Sequence, residues 1–436
     1  MLSLDDALQR LVAGSRALAL TQTETLSTFE AHGRVLAQDV LSVLDVPPAD
    51  NTSMDGYALR AADVPAAGTV LAVSQRIPAG VVGAPLVAGT AARVFTGAQV
   101  PPGADAVVMQ EQCEAMAGEG AGGNDGKGGA GLGNVRVLAV PTAGQWVRRR
   151  GEDVRAGAVA LTRGSRLTPQ ALGLAASVGA GTLRVLRRPR VAVFSTGDEL
   201  VMPGEPLRPG AIYNRTRFTL RGLLQAAGCE VRDFGIVPDR LEATREALRA
   251  AAAGCDLIVT SGGVSVGEED HLRPAVMAEG RLENWQVAMK PGKPLAFGAV
   301  RRGNGSNGAN GAAGSAAGEA ANEALFVGLP GNPVSSFVTF VLCVSTVLRA
   351  IQGLPTALPR PLPLKAAFDW PRPDKRREFL RVRLNAQGEV ELFDNQSSGV
   401  LTSAVWADGL VDNPASQAIT RGDTVRYLPL SELVAR

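Results

Sequence analysis

The chain has 436 residues, 45% of them hydrophobic, and its 44 basic and 42 acidic residues leave a net charge of +2. The length predicts roughly three domains, and the hydrophobic content is sufficient for buried cores. The near balance of charge argues against nucleic acid or an anionic membrane surface as a partner. The first residues, MLSLDDALQRL, lack the basic start and long apolar stretch of a signal peptide.

Cysteine and histidine usage restricts the chemistry further. The four cysteines form no CxxC pair, which argues against a zinc ribbon or a redox dithiol and favours a cytoplasmic location. With only two histidines, His32 and His271, a site built on several histidines is excluded. We therefore expect any bound metal to be a hard cation with oxygen ligands.

The N-terminal half contains one clear helix and a small β domain. Leu4, Leu8, Leu11 and Val12 have helical spacing, and Ser3 is the predicted N-cap. From 69 to 108, short β-rich stretches alternate with glycine and proline, as in a small β domain. Two low-complexity segments, 115–134 and 303–322, are rich in small and polar residues, and we predict that both are flexible surface insertions.

A different pattern begins at Pro189. Hydrophobic strands such as RVAVFST and CDLIVTSG alternate with helical stretches, which predicts a parallel sheet with helices on both faces. The apolar run 334–348 is shorter than the roughly 20 residues of a membrane span, so we interpret it as a buried helix. From Pro355 onwards the sequence predicts only short strands and turns, hence a separate C-terminal β domain.

Polar loops follow the predicted strands of the α/β region. Ligands bind beyond the carboxyl ends of the strands in such sheets, so these loops are the candidate site. They hold glycines, lysines, hydroxyls and acids, in the stretches STGDE, PD, TSGGVSVGEED, KPGKP and LPGNPVSS.

These residue types predict a phosphate and a divalent metal in one site. Glycines let the backbone N–H groups approach an anion, and Lys290 and Lys293 flank a Pro-Gly turn that can direct both ammonium groups at phosphates. The helix start in PGNPVSS also favours an anion. Glu199, Asp239 and Asp270 are candidates to share Mg²⁺ with phosphate oxygens.

Simpler explanations exist for single residues in this set. Glu268 and Glu269 alone are better explained as solvated charges at a helix start, and Asp239 is equally well explained as a helix cap. Arg377, Arg381 and Arg383 lie on one face of a predicted strand, which is either an anion-facing stripe or, more simply, the wet face.

Seven motifs, in this order, carry a family resemblance: DNTSMDGYALR, VFTGAQVPPGADAVVMQE, RRRGEDVRAG, FSTGDEL, TSGGVSVGEEDH, MKPGKPLAFG and GLPGNPVSSFVTF. Together they resemble the molybdopterin molybdenumtransferases, the MoeA family, which includes the E domain of gephyrin. The likeness spans nearly the whole chain apart from the two low-complexity segments.

The resemblance implies a multidomain α/β plus β fold with four parts. They are a discontinuous elongated region (1–50 and 145–188), a small β domain (51–144), a central parallel-sheet domain like molybdopterin adenylyltransferase (189–354) and a C-terminal β barrel (355–436). It also implies a homodimer, and insertion of molybdate into adenylylated molybdopterin with Mg²⁺ and release of AMP. A molybdopterin adenylyltransferase and recipient molybdoenzymes are further expected partners.

The resemblance also implies roles for individual residues. Glu199, Asp239 and Asp270 correspond to acids near the metal and pyrophosphate, and Asp55 and Thr96 to residues that reach the site from the partner subunit. The remaining expected substrate-binding residues are Gly262, Gly263, Ser265, Gly267, Lys290, Lys293, Pro330, Gly331, Asn332, Pro333, Arg381 and Ser398.

Two other functions remain open at this point, and the sequence differs from the family's usual pattern at two places. The chain could instead be a non-catalytic molybdopterin-binding scaffold, as gephyrin's peptide-binding E domain suggests, or an adenylyltransferase, as the α/β domain suggests. Asn214-Arg215-Thr216 stands where Asp-Ser-Asn is usual after Ile-Tyr, and His271 stands where tyrosine is common.

Overall fold

A computed structural model describes residues 1–116, 132–263, 271–303 and 322–434. Most of both predicted insertions therefore lies outside the described residues. The chain divides into two compact units: the first contains 1–24, 33–37 and 185–436, and the second contains 25–32 and 38–184. Residues 1–24 thus group with the α/β region. The four-part division stays a prediction.

A six-stranded sheet forms the centre of the first unit. In spatial order its strands are Glu230–Val237, Arg190–Thr196, Leu257–Ser261, Glu323–Leu329, Pro294–Arg301 and Gly280–Gln286. The first four are parallel to one another, and the last two pair antiparallel. Arg190–Thr196 is buried from its second residue onwards, as a parallel strand covered on both faces must be. The sheet is therefore mixed: its first four strands form the predicted parallel part, and its last two strands are antiparallel.

Helices cover this sheet, and their sequences explain where they start and stop. They are Leu4–Arg16, Arg215–Ala226, Leu241–Gly254, Leu272–Glu279 and a helix over Pro333–Ile351. Ser3 caps the first of them by accepting from the Asp6 N–H, as predicted. Arg215–Ala226 is followed by Gly228 at φ +80°, a left-handed conformation that favours glycine at a helix end.

The Pro333–Ile351 helix is the buried helix that the sequence predicts. It has 19 residues, with a π-helical turn at Phe340–Val344, and is long and apolar enough to cross a membrane. However, 89% of its apolar window is buried inside the protein. Its burial, rather than its length, identifies it as a core helix of the first unit.

The C-terminal part is a closed β barrel, as the resemblance implies. Val390–Leu392, Arg377–Leu384, Gly409–Asn413, Thr424–Pro429 and Leu362–Lys365 pair in that order. A bridge between Ala366 and Val390 then joins the last strand to the first. The expectation of strands and turns alone was wrong, because Leu401–Trp406 and Leu430–Val434 are short helices. The first contains buried Ser403, which accepts from Arg381, a tertiary contact that no local pattern shows.

The two-residue strand Met289–Lys290 belongs to this barrel sheet. It pairs parallel with Arg377–Leu384, through Met289 opposite Arg377 and Lys290 opposite Glu378. The chain thus leaves the central sheet after Gln286, runs along the barrel, and re-enters the central sheet at Pro294.

A second six-stranded sheet forms the core of the second unit. Its strands, in spatial order, are Ala106–Met109, Gly56–Leu59, Thr90–Val94, Thr69–Ile77, Asn134–Val137 and Cys113–Met116. Shorter elements of this unit are Val40–Leu41, Asn51–Thr52, Val147–Arg148, Val159–Leu161 and the helix Pro169–Ser177. Thr23–Ser27 and Thr182–Leu186 contribute residues to both units.

We expect Phe326→Ala to destabilise the first unit by about 3–5 kcal/mol, because this ring lies in a central strand and is fully buried. Phe218→Ala is the matched control, since that ring is 52% exposed. Urea unfolding followed by circular dichroism measures both midpoints. Equal shifts for the two variants would contradict the assigned core.

Candidate active site

A cleft of about 710 Å³ lies where the loops of the central sheet meet the barrel. Four of the five predicted strand-end loops contribute to it. The residues from these loops are Glu199, Gly262, Gly263, Lys290, Pro291, Gly292, Lys293, Pro294, Pro330, Gly331, Asn332 and Ser335. Pro333 does not line the cleft and is buried at the first position of its helix. The predicted convergence of polar loops is therefore present in the described residues.

Two glycine loops approach each other closely in the cleft. Gly262 and Gly263 have φ values of +88° and +65°, which other residues rarely adopt. A Cβ on Gly331 would lie 3.8 Å from the Cα of Gly262. The peptide backbone of these two glycine loops therefore faces the cleft with no side chain in between. Ser265, Gly267 and Asp270, predicted for the same loop, lie outside the described residues.

The Lys290–Lys293 turn is fixed by packing beneath it. Gly292 has φ +106°, and a Cβ there would clash with Thr339 Oγ1. The turn therefore requires glycine on both conformational and steric grounds. Both lysines line the cleft, as the sequence predicts.

Two carboxylates of the barrel hold Lys290 at the edge of the cleft. Its Nζ lies 3.3 Å from Glu378 Oε1 and 3.4 Å from Asp374 Oδ2. Glu378 is 1% exposed and also accepts from the Trp370 indole N–H at 2.8 Å. The lysine itself is 41% exposed, so water screens these ion pairs, and their effect is to orient the ammonium group rather than to bury it.

Asp374 also orients Arg376, which lines the cleft. The guanidinium donates from Nε and Nη2 to the two carboxylate oxygens, each at 2.9 Å. These hydrogen bonds hold the pKa of Asp374 well below its usual range. One carboxylate thus fixes the directions of two cations, which preorganises them for an anion.

The barrel supplies residues that the sequence analysis missed. Arg376, Gln396 and Ser397 line the cleft together with predicted Ser398. No local pattern separates Arg376 from the adjoining basic residues. The peptide N–H of Val334 donates to the Ser398 carbonyl at 3.0 Å, which ties the barrel loop to the start of the core helix.

Arg381, which was expected to bind substrate, does not line the cleft. It is 1% exposed, and its guanidinium donates to Ser403 Oγ and the Phe379 carbonyl. Burial lowers its pKa to about 10. Its peptide N–H donates to Gln396 Oε1 at 2.9 Å, so its contact with the cleft is indirect. Neither interpretation of the arginine stripe fits, because Arg377 forms a two-point ion pair with Asp412 instead.

The predicted acids are only partly described. Glu199 lines the cleft, and the Asp239 N–H donates to Asp198 Oδ1 at 3.2 Å. The N-cap position of the following helix is Arg240, so Asp239 is not its cap. Within the described residues no three histidine, cysteine or acidic side chains come together as a metal site. A set that includes Asp270 extends beyond these residues.

Asp55 and Thr96 belong to the second unit and contact each other directly. Asp55 Oδ1 accepts from the Thr96 N–H and from Thr96 Oγ1, both at 2.7 Å. The N–H bond is the main reason that the pKa of Asp55 lies below its usual value. The Asp55 carboxylate is therefore ionised and is oriented by Thr96, which is more than a plain Asp-Gly turn requires.

Comparisons with known proteins cover the whole chain. Residues 2–179 match the MoeA N-terminal region (domains I and II), 192–350 match a probable molybdopterin binding domain, and 363–430 match the MoeA C-terminal region (domain IV). A molybdopterin molybdenumtransferase of Haemophilus influenzae is 35% identical over all of both chains. The chain belongs to the MoeA family.

Other MoeA relatives agree in sequence and structure. Molybdopterin molybdenumtransferase 2 of Mycobacterium tuberculosis is 36% identical, with 93% of this chain and 94% of that one aligned. The crystal structure of the molybdopterin biosynthesis MoeA protein from Pyrococcus horikoshii OT3 matches with a TM-score of 0.76 and 27% identity, covering 98% and 99% of the two chains. The multidomain fold implied by the resemblance is thereby confirmed.

We expect Arg376→Gln to weaken the binding of inorganic pyrophosphate about tenfold, because a charge-assisted contact is lost while Asp374 stays. Titration calorimetry measures the dissociation constant. Lys375→Gln is the matched control: it removes one positive charge from the same loop, and Lys375 is exposed and does not line the cleft. Equal weakening in both variants would indicate a diffuse charge effect rather than a contact.

Proposed function

We propose that the chain transfers molybdenum from molybdate to adenylylated molybdopterin, releasing AMP and completing the molybdenum cofactor. Membership of the MoeA family supports this activity, since relatives matched along their full length are named molybdopterin molybdenumtransferases. The cleft supplies the supporting chemistry. Among the described residues, four cationic side chains line it, Arg215, Lys290, Lys293 and Arg376, against one carboxylate, that of Glu199.

The chain's own residues bind and orient the substrate in this proposal. Lys290, Lys293 and Arg376 neutralise the pyrophosphate, while the glycine loops let backbone N–H groups approach it. Carboxylates orient Lys290 and Arg376 before the substrate arrives, so little reorganisation of these two cations is needed as charge shifts during cleavage of the phosphoanhydride. No protein nucleophile is required, and AMP leaves as the second product.

We infer that Mg²⁺ is held by Glu199, Asp239 and Asp270. Carboxylate oxygens are the ligands that this ion takes from proteins beside substrate phosphates. Glu199, in the cleft, supplies such a carboxylate. The peptide N–H of Asp239 donates to the carboxylate of Asp198, which places Asp239 beside the loop that carries Glu199. When bound, the ion would screen the phosphate oxygens.

A homodimer and a cytoplasmic location also form part of the proposal. Asp55 and Thr96 would then complete the site of the partner subunit. All four cysteines are free thiols, and burial raises the pKa of Cys343 to about 12 and that of Cys255 to about 11. Unpaired thiols fit a reducing compartment. A molybdopterin adenylyltransferase and recipient molybdoenzymes are the proposed transient partners.

AMP release from adenylylated molybdopterin tests the activity. We expect release that depends on molybdate and needs no ATP, whereas an adenylyltransferase would consume ATP. Asp270→Asn should lower turnover about 100-fold if this acid acts at the developing charge. An unchanged rate would remove Asp270 from the mechanism. No release by folded wild-type protein would favour the non-catalytic scaffold.

Metal dependence is a separate test. We expect EDTA to abolish AMP release and added Mg²⁺ to restore it, because the acids alone repel the pyrophosphate. In Glu199→Gln, the Mg²⁺ concentration for half-maximal rate should rise at least tenfold. Full activity in EDTA would exclude the proposed metal.

A further inference from the structure

A small side pocket of about 70 Å³ opens beside the cleft. Its lining includes Thr196, Asn214, Arg215 and Ser261. It shares Glu199, Ile212, Arg215, Gly262 and Gly331 with the cleft, so the two are continuous. A water molecule occupies roughly 30 Å³ in the liquid, and the pocket therefore has room for one small tetrahedral ion.

Asn214 lines this pocket and carries a buried, unused donor. Its side chain is buried, and Oδ1 accepts from the Arg217 N–H at 3.3 Å and from Ser195 Oγ at 3.4 Å. As the N-cap of the helix Arg215–Ala226, Oδ1 is committed to the helix, which fixes the orientation of the amide. Nδ2 is buried and has no hydrogen-bond partner among the described residues. A buried donor without an acceptor is unfavourable, so a ligand or water is expected to supply one.

Arg215 places a positive charge at the same corner. It is exposed, lines both the pocket and the cleft, and has no carboxylate partner within the described part of the chain. It is also the first residue of a 12-residue helix, whose N-terminal amides favour an anion. Thr196 and Ser261 add hydroxyl groups that can donate.

Among the described residues of the pocket lining, Glu199 is the one carboxylate, and it opposes an anion. The remaining polar side chains named here can all donate.

We propose that Asn214, Arg215 and the first turn of the helix Arg215–Ala226 form an oxyanion subsite that takes one tetrahedral anion. The anion is either the phosphate group of the nucleotide half of the substrate or molybdate. The inference rests on the proposed function for these two candidates, but binding can be measured without turnover. Arg215 and Asn214 are thus assigned as ligand-binding residues of this subsite.

Two variants test the subsite. Arg215→Ser removes the charge at an exposed position, and Asn214→Asp keeps the capping oxygen while replacing the donor by an acceptor. Arg221→Ser on the same helix is the matched control, because Arg221 pairs with Asp233 and lies outside the pocket. Titration calorimetry of AMP, adenosine and molybdate is carried out on each purified protein, with its melting temperature recorded.

We expect both variants to bind one of the anions at least tenfold more weakly, with Arg221→Ser unchanged. Weaker binding of AMP but not adenosine identifies the nucleotide phosphate, and weaker binding of molybdate alone identifies molybdate. Wild-type affinity of Arg215→Ser for both anions would overturn the inference, as would a wild-type protein that binds neither. AMP release by such a protein would still support the proposed function, so the two can fail separately.

Discussion

The strand Met289–Lys290 imposes the main constraint on this site, because it is the point at which the central sheet and the barrel share the chain. Strand Gly280–Gln286 and strand Pro294–Arg301 are neighbours in the central sheet, yet the segment between them pairs with Arg377–Leu384 of the barrel. The N-terminus adds to this junction, since the Ala288 N–H donates to the Leu2 carbonyl at 2.8 Å. The lysine turn is therefore held by the barrel strand on one side and by the N-terminal segment on the other.

This arrangement explains how a cluster of like charges is tolerated at the edge of the cleft. Lys290 and Arg376 share Asp374, and Lys290 also contacts buried Glu378. The acids reduce repulsion between the cations and limit their rotamers, so the entropic cost of ordering them for a ligand is smaller. Lys293, on the far side of Gly292, has no such partner among the described residues and supplies an adaptable charge.

Much of the fold and part of the site could be predicted from local pattern. Buried strands such as Leu257–Ser261 and their polar ends are visible in the sequence because parallel strands are continuously apolar, and Lys290 and Lys293 follow from that placement. Arg376 and Gln396 were missed because their position depends on how the barrel folds back on the central sheet. Arg381 was expected in the substrate site, but it is buried in the barrel for the same reason. Strand alternation predicts which face of the strand it lies on, and only its tertiary contact with Ser403 shows that this face is buried.

Hydrogen–deuterium exchange of the full chain with and without AMP, in the presence of Mg²⁺, tests most directly whether sheet and barrel form one phosphate-binding cleft. We expect joint protection of peptides covering 289–294, 330–336 and 396–398, because these segments line a single cleft. Peptides covering 367–372, which line a separate surface pocket of the barrel, should be unchanged. Protection confined to the barrel, or absent from 289–294 at saturating AMP, would show that sheet and barrel do not form one phosphate-binding cleft.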